Sequence, residues 1–255
     1  MIEKNYKDYS EIIAKEARNL GVKENGIVLM HSSLSSFGLV PGGAETVING
    51  ILLALGNMGT LLVPALSYQY VNERNRVFDV RNTPSNIGVI PEYFRNRKDV
   101  LRSLNPTHSV CGCGEKAKDI LNKHYIDETP CGENSPYHLL SKLGGQLLFI
   151  GCGLRPNTSM HGIEETIEPD YLFKGFVEYD VIDYNGQKSC RKCKRHNFKG
   201  FVQRYDRVQN ILEKGEIKNG KILKAESYII QAENLWKKAK KALSKDPHYF
   251  VDRLF

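Results

Sequence analysis

The sequence predicts an α/β fold, and two observations carry the prediction. The spacing of apolar residues switches along the chain between a helical repeat and short continuous runs that fit buried strands. Residues 26–64 then spell strand, loop, helix, strand, one βαβ unit with glycines at its helix start. Ahead of that unit, Tyr9, Ile12, Ile13, Ala17 and Leu20 recur at helical spacing, and Gly21 stops the helix. Gly26-Ile27-Val28-Leu29-Met30 reads as a buried strand running into His31-Ser32-Ser33-Leu34-Ser35-Ser36-Phe37-Gly38, a loop dense in hydroxyl groups. After Pro41-Gly42-Gly43, the residues Val47, Ile48, Ile51, Leu52 and Leu55 make one helix face that closes at Gly56, and Gly59 to Pro64 is the second strand. A third strand, Gln146 to Gly151, leads to Asn157-Thr158-Ser159-Met160-His161, where a helix can begin with Thr158 or Ser159 as its cap. Residues 171–184 alternate in β fashion and turn at Asn185-Gly186, predicting a hairpin or small antiparallel subdomain over 171–204. Tyr228, Ile229, Ala232, Leu235, Trp236, Ala239 and Leu243 predict a long amphipathic helix. No Pro/Gly/Ser linker interrupts the chain, so residues 1–255 are expected to form one domain.

Composition narrows the function classes. With 41% hydrophobic and 25% charged residues the chain is neither disordered nor fibrous. Its 255 residues can bury a core without metal or disulfide. The longest apolar runs, Ile51 to Leu55 and Leu147 to Ile150, fall far short of the roughly 20 residues that span a bilayer. Met1 to Tyr6 has no apolar segment or cleavage site, so a cytoplasmic location without a membrane partner is expected. Six cysteines are then expected to be thiols, with Cys111, Cys113 and Cys152 small and buried. Cys190-x-x-Cys193 followed by His196 offers two thiolates in a tight turn, half of a zinc site. The other half is missing, so no metal is expected.

The net charge of +7 is concentrated. Lys188, Arg191, Lys192, Lys194, Arg195, Lys199 and Arg204 follow one another without an Asp or Glu, so affinity for phosphate-bearing ligands is expected to be local to this stretch. With Phe198 and Phe201 interleaved, it also matches a nucleic-acid binder. That reading leaves the first 170 residues unexplained, and no nucleic-acid partner is expected. Near the N-terminus, the amides of Gly42, Gly43 and Ala44 at a helix start, beside Ser32, Ser33, Ser35 and Ser36, suit a phosphate or a polar amide-bearing chain. The spacing fits neither the dinucleotide fingerprint nor a P-loop.

Taken together, these residues resemble the aminoglycoside 3-N-acetyltransferase family. The resemblance runs in order from the His31 to Gly38 loop and Gly42-Gly43-Ala44-Glu45-Thr46, through Gly59 to Pro64, Thr83-Pro84-Ser85 and Pro91-Glu92-Tyr93-Phe94-Arg95. It continues with Arg102-Ser103, Asn105-Pro106-Thr107-His108-Ser109, Gly132-Glu133-Asn134-Ser135-Pro136, Leu148 to Gly151 and Asn157 to Glu164. It implies a three-layer α/β/α fold with a central mixed sheet and a small antiparallel insertion. It also implies acetyl-CoA as donor and transfer of the acetyl group to an amine of an amino sugar. Donor-binding positions carried over are Ser32, Leu34, Ser35, Gly42, Gly43 and Ala44, with Thr83 and Ser103 added. The catalytic histidine falls on His161, and a homodimer is left open.

The chemistry gives the His-Glu spacing a use. A sugar ammonium has no lone pair with which to attack a thioester, so a base must take its proton. Histidine titrates in the right range, and a carboxylate one helical turn away can fix its tautomer and stabilise the imidazolium. Glu164 is i+3 and Glu165 i+4 from His161, so both can share its face. His108 is the further catalytic candidate, against the plainer expectation of a turn histidine bonding a backbone carbonyl, and His31 is expected to be buried and hydrogen-bonded. The all-basic stretch stands where relatives carry acids. That makes a phosphate-bearing amino sugar, nucleotide-linked or part of a surface polysaccharide, the alternative acceptor.

Overall fold

The structure, a computed structural model, describes residues 2–254, with side chains from Lys7 onward. The chain opens with α1 (Ile2–Leu20), β1 (Ile27–Ser32), α2 (Ala44–Leu55) and β2 (Thr60–Pro64), followed by β3 (Val77–Asp79), α3 (Val89–Arg95), β4 (Leu101–Arg102) and β5 (Val110–Gly114). Next come α4 (Ala117–Leu121), α5 (Pro136–Lys142), β6 (Gln146–Ile150) and α6 (Ser159–Glu165). The last third holds β7 (Phe173–Ile182), β8 (Lys188–His196), β9 (Phe201–Gln203), β10 (Ile217–Ile222), β11 (Ala225–Gln231), α7 (Ala232–Lys245) and β12 (Val251–Arg253).

The main sheet has seven strands in the order β10-β11-β6-β1-β2-β5-β4. Its centre is parallel, with Ile27 opposite Thr60 and Ser32 opposite Ile150, while β5 and β11 flank it antiparallel. The sheet is therefore mixed and, as expected, covered on both faces. Alternate side chains of β1 divide between the two cores: Val28 and Met30 pack under α1 and α2, Ile27 and Leu29 under α4 to α7. Because β1, β2 and β6 run the same way, their carboxyl ends lie together, the position at which sheets of this kind hold ligands.

Several sequence expectations need correction. Tyr228 and Ile229 are not helical; they lie in β11, with Ile229 opposite Leu148, and α7 begins only at Ala232. The Tyr-Ile-Ile run prefers a pleated surface, and its apolar spacing happens to continue into the helix. Strand β5 went unread because its sequence is Val-Cys-Gly-Cys-Gly. Gly112 is there because neighbouring chains approach closely: a Cβ would meet Leu62 Cδ2 at 2.7 Å. Thr158 occupies the cap position of α6 but makes no capping bond. The Gly132 to Pro136 block is a helix start, with Ser135 accepting the His138 N–H and Pro136 in the first turn.

Cys190 and Cys193 do not form a turn. They sit on β8 opposite Asp180 and Val177, so their side chains leave opposite faces, one exposed and one in the small core of Val71, Phe78 and Val177. Cys111 and Cys113 are buried, whereas Cys152 is half-buried. The hairpin of β7 and β8 is joined by β3 on its far edge, parallel to β7. The basic stretch is less unbalanced in space than in sequence. Lys188 pairs with Asp180 at 2.9 Å, Lys194 with Glu168 at 3.3 Å, Arg195 with Glu73, and Arg204 with Asp252 at 2.7 Å. Phe198 and Phe201 pack against Tyr171 rather than forming an open stacking platform. No helix among the described residues is long and apolar enough to cross a membrane.

Candidate active site

A cavity of about 880 Å³ opens at the carboxyl ends of β1, β2 and β6. Met30 to Ser35 form one wall from the end of β1 and the loop after it, Pro64, Leu66 and Tyr68 come from the end of β2 and beyond, and Cys152 and Arg155 to Thr158 follow β6. Thr107 and His108 come from the loop before β5, and Arg195 to Phe198 from the end of β8. The wall carries polar atoms that are buried without a partner: His31 Nε2, Ser32 Oγ, both side-chain polar atoms of Asn157, and His196 Nδ1. Unsatisfied buried groups are expensive. Converging on one cavity, they mark where a polar ligand completes the structure.

The one-turn spacing on α6 brings His161 Nδ1 to 3.2 Å from Glu164 Oε2. Glu164 is fully buried and accepts the Tyr171 hydroxyl at 2.8 Å and the Tyr205 hydroxyl at 2.7 Å. Burial, with the Glu164 charge beside them, pushes both phenols up, so they remain donors. Tyr205 Oη, its proton given to Glu164, lies 2.8 Å from His161 Nδ1 and can only accept there. The hydrogen-bond pattern therefore assigns the proton to His161 Nδ1 and leaves the Nε2 lone pair for the cavity.

Glu165 pairs elsewhere. Its Oε1 lies 2.8 Å from His196 Nε2 and accepts the Cys131 N–H at 2.9 Å. Burial pushes the Glu165 carboxyl up to about 7 and holds His196 well below its usual range. Two His-Glu pairs thus stand side by side, with the His161 and His196 rings 4.8 Å apart. His108 completes the group, its ring 4.9 Å from His196 and 5.8 Å from His161. Its Nδ1 bonds the Thr107 hydroxyl at 2.9 Å rather than a backbone carbonyl, and burial pushes its pKa well down. His31 stacks on Phe149 at 5.1 Å, and burial lowers it to about 3, but its Nε2 has no partner.

Of the donor-binding positions carried over from the family, Ser32, Leu34 and Ser35 lie on the cavity wall. Gly42 instead lines a separate groove with Glu45, Thr46 and Asn49, and Gly43 and Ala44 line neither. The Gly43 N–H is taken by the Val40 carbonyl at 2.9 Å, and Ala44 is buried against the core of α1 and α2. Thr83 and Ser103 are also away from the cavity. Thr83 accepts the Asp79 N–H, and Ser103 is buried between His124 Nδ1 and the Val110 N–H. Sequence reading missed Tyr171 and Tyr205, which reach Glu164 from 7 and 41 positions away with no local pattern to announce them. His196 stands out in the sequence only beside the two cysteines and within the basic stretch, not as a partner of Glu165.

Comparison with known proteins places this arrangement. A family model described as aminoglycoside 3-N-acetyltransferase matches residues 29–244. The chain belongs to the aminoglycoside 3-N-acetyltransferase family. Aminoglycoside N(3)-acetyltransferase IX of Micromonospora chalcea is 26% identical over 249 residues, covering 86% of this chain and 88% of that protein. The crystal structure of the YokD protein of Bacillus subtilis superposes with a TM-score of 0.78 at 26% identity, covering 93% of this chain and 99% of that one. AAC-IIIb, solved as a binary complex with CoASH, has the same fold, with a TM-score of 0.77 at 24% identity and coverage of 91% and 95%. As a family member the protein is an N-acetyltransferase whose co-substrate is acetyl-CoA. The cavity suits such a donor: it is roomy, mixed in polarity, lined by unpartnered polar atoms at Ser32 and Asn157, and carries the cations Arg155 and Arg195.

Proposed function

We propose that the protein acetylates an amine of an aminoglycoside or related amino sugar, with His161 as general base and Glu164 as the carboxylate that orients it. The observation that carries the reading is the buried His161, Glu164 and Tyr205 arrangement opening onto the cavity. Ser32, Leu34 and Ser35 are the wall residues proposed to hold the donor. Bound there, acetyl-CoA supplies an electrophilic thioester carbonyl.

In this reading His161 Nε2 takes the proton of the incoming ammonium, which frees the nitrogen lone pair for attack. Glu164 offsets the positive charge that appears on the imidazole, and Tyr205 holds both in register. The imidazolium then returns that proton to the leaving thiolate as the C–S bond breaks, and the second proton shed by the newly acylated nitrogen passes through the freed His161 to solvent, which restores the base for the next turnover. A positioned base contributes typically 10² to 10⁴ in rate. His108 and His196, kept neutral by burial, line the path of the amine without adding charge to it.

A phosphate-bearing amino sugar is the second acceptor reading, and one observation favours it. Among the described residues, the charged side chains on the cavity wall are Arg155 and Arg195, and no Asp or Glu lines it directly. The ion pairs of Lys188, Lys194, Arg195 and Arg204 remove most of the wider electrostatic argument for it. Release of free thiol from acetyl-CoA with a panel of aminoglycosides, neutral amino sugars and nucleotide-linked amino sugars separates the readings. The leading one expects turnover of an aminoglycoside, and turnover confined to the nucleotide-linked sugars would overturn it.

A further inference from the structure

We infer that His108, His161 and His196 form a binding site for a divalent transition-metal ion of the zinc type, and that an ion bound there blocks acetyl transfer. The three side chains offer one ligand nitrogen each, and these nitrogens lie within 4.8 Å of one another. They come from three separate places in the fold, the loop before β5, helix α6 and the end of β8, and meet only in the folded cavity.

Each ring is already oriented through its other nitrogen. His161 Nδ1 faces Glu164 at 3.2 Å, His196 Nε2 faces Glu165 at 2.8 Å, and His108 Nδ1 faces the Thr107 hydroxyl at 2.9 Å. That is how protein metal sites hold imidazole ligands: a carboxylate or hydroxyl behind the ring fixes its orientation and leaves the opposite nitrogen for the ion. The nitrogens left over are Nε2 of His108, Nε2 of His161 and Nδ1 of His196, the last buried without any partner.

Charge argues the same way. Glu164 and Glu165 are buried behind the rings, and their partners are tyrosines, histidines, the Thr129 side chain and a backbone N–H rather than Lys or Arg. A divalent ion would offset both carboxylates at once. Three imidazoles with an open fourth position toward a cavity suit zinc, cobalt or nickel and not the oxygen-seeking magnesium or calcium. Zinc to nitrogen bonds of about 2.0 to 2.1 Å place tetrahedral ligands about 3.4 Å apart. The ligand nitrogens must therefore draw together by at most about 1.4 Å from 4.8 Å to hold the ion.

The consequence for activity rests on the proposed role of His161. An ion held by Nε2 occupies the lone pair that would accept the ammonium proton, so zinc competes with the acceptor and not with the donor.

The test is a titration of the chelator-treated, full-length protein with Co²⁺, read by its visible d–d absorption, and with Zn²⁺ by calorimetry. One ion per chain is expected. His108→Gln and His196→Gln should each weaken binding by roughly tenfold or more, and Glu165→Gln by a similar factor, since orienting partners alone are worth 10- to 100-fold. Cys190→Ser with Cys193→Ser should leave it unchanged. X-ray absorption of the zinc-loaded natural protein needs no variant and should show imidazole nitrogens at about 2.0 Å. Sulfur scattering, or binding that survives the combined His108→Gln and His196→Gln change, would overturn the site. If the ion binds through these histidines but acetyl transfer proceeds undiminished at saturating zinc, the blocking half fails. The Co²⁺ spectrum is independent of turnover, so a wrong assignment of the catalytic base leaves the metal site itself intact.

Discussion

Replacing Glu164 by glutamine tests whether the carboxylate sets the tautomer of His161. In the native site both of its oxygens accept hydrogen bonds, from Tyr171 on one and from His161 and Tyr205 on the other. An amide keeps one acceptor oxygen and gains two donors. If the oxygen stays with Tyr171, the new NH₂ faces His161 and Tyr205. His161 Nδ1 then becomes an acceptor and its proton moves to Nε2, where the base was needed. If the amide turns the other way, its NH₂ opposes the Tyr171 hydroxyl, and the charge that offset the imidazolium is still gone. Both outcomes remove much of the general-base contribution, about 10² to 10⁴ in rate, or about 2.7 to 5.4 kcal/mol of barrier at 1.36 kcal/mol per decade. Steady-state release of free thiol at saturating acetyl-CoA gives kcat. The expectation is a fall of about a hundredfold or more, smaller than for loss of His161 itself, with the donor KM little changed. A Glu164→Gln protein that keeps kcat within a few fold of the natural enzyme would refute the reasoning.

Three further outcomes follow from the packing. His124 is buried between the Ser103 hydroxyl and the Pro130 carbonyl, and burial lowers its pKa to about 4 from 6.5. The unfolded chain therefore binds the extra proton between pH 6.5 and 4. Stability should be full above 6.5 and fall by roughly 3 kcal/mol as pH drops toward 4, and a melting series on His124→Gln should lose that part of the acid sensitivity. Gly112→Ala drives a Cβ to 2.7 Å from Leu62 Cδ2 and should cost about 1 to 3 kcal/mol in urea unfolding; an unchanged midpoint would mean that the sheet can give way there. Arg195→Gln removes one cation from the cavity wall and leaves its ion-pair partner Glu73 without it. It should lower the KM for a polycationic aminoglycoside by up to about fivefold, from at most about 1 kcal/mol of relieved repulsion. A higher KM would favour the phosphate-bearing acceptor.

What could be read from the sequence divides along physical lines. The βαβ unit over residues 26–64 was legible because each of its elements announces itself locally, as an apolar run or a helical stripe closed by glycine. The meeting of His161 and Glu164 was legible for the same reason, since three residues on a helix is a local distance. Glu165 was expected on the same face, but packing against β8 claimed it for His196, 31 positions away. Tyr171 and Tyr205 are joined to Glu164 only through tertiary contacts, so no spacing pointed to them. The basic stretch misled for a related reason: its counter-charges Glu73, Glu168, Asp180 and Asp252 are distant in sequence and adjacent in space. Gly42 and Gly43 read as an anion site because a helix start in sequence does not reveal that Gly42 faces a separate groove or that the Gly43 N–H is taken by the Val40 carbonyl.

The role of His161 is the centre of this account, and a paired measurement on His161→Ala tests it most directly. Calorimetric titration with CoA should give a Kd close to that of the natural protein, because the donor is proposed to lie along Ser32, Leu34 and Ser35. Acetyl transfer to the best acceptor should fall by about 10² to 10⁴. If His161→Ala binds CoA normally and still transfers acetyl at a rate near that of the natural enzyme, His161 is not the base and the mechanism proposed for this cavity is wrong.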